Sequence, residues 1–135
     1  VKEKQSGQDP TAWISPEGCD TPRVGLAHGS VEGAPIGEWD HPIPRDAATR
    51  SGLDYLALGH WHSFGTFEDA AGAPRMAYSG THEPTSFGER DSGKALLVEI
   101  AEAGAAANIT PADATRAVAA DRTVRLRRPI SSLQS

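Results

Sequence analysis

Two short apolar runs constrain what this chain can fold into: "RVGLAHG" (Arg23 to Gly29) and "LDYLALG" (Leu53 to Gly59). Each reads as a strand, and each breaks off where a histidine adjoins a glycine. Between them a loop rich in Gly and Pro spans 30–44 and leads into "PRDAATRSG", which reads as a short helix. Pro44 suits a first helical position, and Gly52 suits the left-handed position just past the end. Strand, helix, strand is a βαβ unit, and such crossovers join parallel neighbours. Neither strand alternates polar with apolar residues, the pattern of central strands covered on both faces. The expected class is therefore α/β.

The second half changes character. "GTFED", "RMAYSG", "KALLVEIAE" and "AANITP" are short strand candidates separated by turn residues. They predict a mixed sheet with few short helices. "DATRAVAADR" fits helix or strand, "TVRLR" fits a last strand, and the patch "TAWIS" near the start fits a short edge strand. The whole chain, 1–135, reads as a single segment.

With 38% apolar residues the chain has material for one core. No apolar stretch approaches the roughly 20 residues that cross a bilayer, and no charged-then-apolar leader opens the chain. The expectation is no membrane and no signal peptide. Cys19 is the single cysteine and has no internal partner, which fits a reducing, cytoplasmic setting. A net charge of -5 does not suit a surface that grips nucleic acid by bulk charge. A bound divalent ion would reverse that locally.

His28 and His60 hold equivalent places, each at the carboxyl end of an apolar strand and beside a glycine. Ligands of open α/β sheets gather at that edge. His62 lies two residues beyond His60, so on an extended chain both rings would project to one side. Three imidazoles at one sheet edge point to a metal site formed by His28, His60 and His62. Neutral imidazole suits manganese, zinc or iron rather than calcium. His41, between Asp40 and Pro42, reads as a structural or solvent-exposed loop residue. His82 follows another strand end and is a weaker candidate.

A two-ion site normally needs a bridging carboxylate, its ions lying about 3.5–4 Å apart. Asp54 begins the strand that His60 follows, and a strand rise of about 3.3 Å per residue puts it roughly 20 Å away, at the wrong edge. Glu83 falls at the correct edge if "RMAYSG" runs parallel to the first two strands, where it would be a ligand or a loop brace. Asp20 and Asp40 sit in loops without a readable position. The residue types thus describe a metal site short of carboxylates.

In order and spacing, "VGLAHGS", "LDYLALGHWHS", "AYSGTHEPTSFGE" and "GKALLVEI" resemble the C-terminal half of a calcineurin-like metallophosphoesterase, in the SbcD-type DNA repair exonuclease branch. The resemblance covers 11–100. It implies part of a four-layer α/β/β/α sandwich with two metal ions, usually manganese, at the carboxyl edges of its strands. It implies that His28 and His60 bind the second ion and His62 the first, and that a metal-bound hydroxide attacks the phosphorus of a phosphodiester, DNA being one such substrate. The family's earlier motifs, Asp-x-His, Gly-Asp and Gly-Asn-His-Asp or Glu, are not in this sequence. They supply the bridging aspartate, an asparagine ligand and the histidine that assists the leaving group. Together with the Val1 start, this predicts a segment whose catalytic domain has a further N-terminal half. Residues 101–135 would be extra strands or the start of a DNA-capping region. There Arg122, Arg125, Arg127 and Arg128 fit either a DNA contact or a charged edge strand. Two other readings stand beside the hydrolase: a non-catalytic module that binds metal or a partner, and a three-histidine zinc hydrolase.

Overall fold

The computed structural model describes residues 6–17, 21–34, 40–85, 87, 92–93, 95–102, 115–118 and 122–127. "AANITP", Arg128, Cys19 and Asp20 lie outside them. In chain order the elements are β1 (Val24–His28), β2 (Ser30–Val31), β3 (Pro42–Ile43), α1 (Ala47–Arg50), β4 (Tyr55–Gly59), β5 (Gly65–Glu68), β6 (Pro74–Tyr78), β7 (Leu97–Glu102), β8 (Thr115–Val118) and β9 (Arg122–Arg127). The fold is α/β with a mixed sheet and little helix. Among the described residues no helix is long and apolar enough to cross a membrane.

The βαβ unit forms as its sequence predicts. β1 pairs parallel with β4 from Val24↔Tyr55 to His28↔Gly59, and α1 lies in the connection. The helix ends in a Schellman arrangement. Gly52 N–H donates to Thr49 O at 3.1 Å and Leu53 N–H to Ala48 O at 2.9 Å, with Gly52 at φ +60°. Ala48 and Leu53 both lie in the core, the apolar contact that accompanies this cap. At the other end the helix begins at Ala47, later than Pro44, whose carbonyl accepts the Ala47 N–H at 3.0 Å.

β6 adds parallel to β4, and β5 pairs antiparallel on its far side, so the sheet order is β1-β4-β6-β5. Asp69 shapes the β5–β6 turn: its Oδ1 accepts the N–H groups of Ala71 and Ala73, both at 2.8 Å. β7, β9 and β8 form a separate antiparallel sheet. The stretch "DATRAVAADR" thus contributes a strand, β8. "TAWIS" forms no strand. Asp9 Oδ1 captures the Thr11 N–H at 2.8 Å and its hydroxyl at 2.6 Å, and this local capture curls the segment into a turn.

Alternation along β4 and β6 divides the interior. Leu56, Leu58, Met76 and Tyr78 face one way, onto Val31, Ile43, Ala47, Ala48 and Leu53. Tyr55 and Ala77 face the other, where Val124 and Leu126 of β9 cover them. The result is a helix-and-loop layer, the mixed sheet, and the antiparallel sheet.

β1 departs from expectation. It is an edge strand among the described residues, with Val24 and Leu26 exposed at 55% and 82%. Register sets both beside Tyr55 and Ala57, on the face toward the second sheet. That sheet lies against β6, on the other side of β4, and leaves β1 uncovered.

Candidate functional site

The site grows from the carboxyl ends of β1 and β4. His28 closes β1 opposite Gly59, and a Cβ on Gly59 would sit 3.1 Å from His28 Nδ1, so the glycine leaves room for the ring. The ladder runs one step further, Gly29 N–H donating to Gly59 O at 3.2 Å. His60 then turns the chain, with φ at +112°, a region that residues with a Cβ rarely occupy. The turn brings its ring against that of His28, centroids 5.1 Å apart and planes at 74°. Burial, then the neighbouring imidazoles of His60 and His41, hold His28 below the ordinary histidine pKa.

The loop before β3 returns to this corner. Ser30 N–H is shared between Asp40 O at 3.0 Å and His41 O at 3.2 Å, and His41 N–H donates to Ser6 O at 2.8 Å. Asp40 is thereby held beside the sheet edge, its Oδ2 3.5 Å from His60 Nε2. His41 is half-buried with φ at +52°. Gly29 must be glycine here, because a Cβ would lie 2.2 Å from His41 O. From beneath, the buried Tyr78 hydroxyl donates to Gly29 O at 2.6 Å and accepts the Val31 N–H at 3.0 Å. That bridge pins the backbone on either side of Ser30.

His62 has partners of its own. Its Nδ1 lies 2.9 Å from Thr85 Oγ1, and its carbonyl accepts the Thr81 N–H at 2.9 Å. The loop after β6 therefore carries it. The chain is not extended at His60, so the alternation that would set the His60 and His62 rings on one side does not operate. β6 does run parallel to β4, which puts Glu83 after a carboxyl end. Its carboxylate is exposed and faces His82 Nε2 at 3.5 Å. Asp54 sits at the opposite edge, where it accepts the Arg23 N–H at 2.8 Å.

Imidazole and carboxylate donors suit a first-row divalent ion. His28 and His60 bring two such imidazoles to one corner, and Asp40 lies beside the second. They do not complete a coordination sphere: among the described residues no three His, Cys, Asp or Glu side chains are grouped to hold an ion. Asp40 is one of two aspartates, with Asp20, that the sequence left without a place. The pairing of β2 with β3, two residues each, and a bridge to Ser6 return it to the edge, and contacts so short leave no readable pattern. A scan against family models and searches of curated proteins and of solved structures find no match to this chain.

Proposed function

We propose that this chain carries the histidine corner of a divalent-metal site for phosphodiester hydrolysis, as in the calcineurin-like metallophosphoesterases of the exonuclease branch. The observation that carries the reading is the convergence of His28 and His60 at the carboxyl ends of adjacent parallel strands, rings 5.1 Å apart. In this reading the mixed sheet and the antiparallel sheet are the two inner layers of a four-layer α/β/β/α sandwich. His28, His60 and His62 are the donors, with manganese the first choice and zinc or iron the alternatives. Such an ion, when bound, supplies an activated water and a counter-charge for a phosphoryl oxygen. The chain's own part is to present imidazoles from a sheet edge and to hold those of His28 and His60 near each other before any ion arrives. The substrate is a phosphodiester, with DNA one member of that class, and the setting is cytoplasmic.

The sequence holds no bridging-aspartate motif, and no complete ligand group is assembled among the described residues. Both facts favour a companion reading, in which this chain alone binds metal without turning over substrate. Titration calorimetry with manganese and zinc, run beside hydrolysis of bis(p-nitrophenyl) phosphate, tests the pair. Saturable binding that His60→Ala removes, with no turnover by the isolated chain, is the expected result. A wild-type chain that binds neither ion would overturn the metal reading. Turnover that survives in His60→Ala would overturn the role given to His60.

A further inference from the structure

We propose that Asp40 is the positioning carboxylate of this site. It accepts the Nε2–H of His60, fixes the ring's tautomer, and leaves Nδ1 as the lone-pair donor. The inference rests on the metal reading above for its purpose, but its geometry stands apart from it. Asp40 Oδ2 lies 3.5 Å from His60 Nε2, somewhat longer than an ordinary hydrogen bond and within ion-pair reach. Both side chains are about three-quarters shielded, at 25% and 28% exposed, so the contact is only partly screened by water.

Asp40 is not a loop residue that merely drifts near the ring. Its carbonyl accepts the Ser30 N–H at 3.0 Å, it bridges to Ser6, and the next residue donates to Ser6 O at 2.8 Å. Those bonds anchor the loop to the strand end that bears His28. The backbone departs from ordinary geometry on both sides of the contact, at His41 (φ +52°) and at His60 (φ +112°). A positive φ at a residue with a Cβ is strained and persists only where its surroundings over-determine it. Here the strain accompanies a pairing of carboxylate and imidazole. Ligating histidines characteristically give their second ring N–H to such a carboxylate, which sets the ring's orientation and raises its basicity.

The test reads the tautomer first, on the metal-free chain. Long-range 1H–15N correlation spectra at about pH 8, well above the ordinary imidazole pKa, assign the His60 ring by comparison with His60→Gln. The expected result is a single Nε2–H tautomer in the wild-type chain, retained in Asp40→Asn, whose amide oxygen still accepts, and mixed in Asp40→Ala. Manganese and zinc titrations of the same samples follow. Loss of the carboxylate support costs about 10–100-fold in affinity, so Asp40→Ala should fall in that range while Asp40→Asn falls less. Amide spectra of both variants establish that they fold. A mixed tautomer in the wild-type chain, or equal metal loss in both variants with the tautomer unchanged, overturns the proposal. A fixed tautomer in a chain that binds no metal leaves the positioning intact and removes the metal reading instead.

Discussion

Around the histidine corner two residues are chosen by their neighbours rather than by propensity. Gly29 is one, because the His41 carbonyl occupies the space of its Cβ. Tyr78 is the other. Its hydroxyl bridges a carbonyl and an N–H that are buried on either side of Ser30, and burial raises its pKa despite the Val31 bond that opposes the shift. Tyr78→Phe keeps the ring, which packs edge-on against Trp61 and Phe67, and removes only the bridge. The two backbone groups are then unpaired, at a cost of about 1–3 kcal/mol for a stranded buried group. Urea unfolding should show a stability lower by that amount, read as a lower midpoint with an unchanged slope, because the core surface is unaltered. Sequence alone locates the Tyr but not its bond, since its partners lie 47 and 49 positions away. The same holds for the site: His28 and His60 announce themselves by the glycines at strand ends. Asp40 has no such signal, because its place depends on how a loop of Gly and Pro returns.

Among the elements, β1 and β4 look alike in sequence and differ in the structure. Leu26 is 82% exposed and Leu56 is fully buried, although their strands pair directly. Leu56→Ala should cost about 2–5 kcal/mol, the usual range for a core leucine, whereas Leu26→Ser should stay within about 0.5 kcal/mol. Thermal unfolding of both variants makes the comparison, and equal losses would mean that β1 is covered in solution. An apolar run announces a strand but not its place in the sheet, which is why both strands read as central. The βαβ crossover was legible because helix stop, glycine and strand spacing agree locally. The turn at "TAWIS" was not, because one carboxylate, Asp9, outweighs a weak strand propensity. β8 lay in a stretch with no decisive period. Its strand pairing with β9, from Thr115↔Leu126 to Val118↔Thr123, comes from tertiary partners that no local window contains.

For the molecule as a whole, the second sheet matters because it covers β4 and β6 on the far face of the site-bearing sheet. Tyr55 lies in that seam with Ala77, Val124 and Leu126, only 3% exposed, and burial pushes its phenol up to about 12. In the unfolded chain the same group ionises near its ordinary value of about 10. Below that value both states hold the proton and Tyr55 contributes no pH dependence. Above it the unfolded state releases the proton while the folded state retains it, so stability falls as pH rises toward the folded value. A shift of about two units corresponds to roughly 2–3 kcal/mol lost across that window. Urea unfolding at steps from about pH 9 to pH 12 should trace the decline, and Tyr55→Phe should flatten most of it, because Phe has no proton to lose. An equally steep decline in Tyr55→Phe would place the phenol in water. The antiparallel sheet would then not lie across β4, and the strand that leads into His60 would lack its cover on that face.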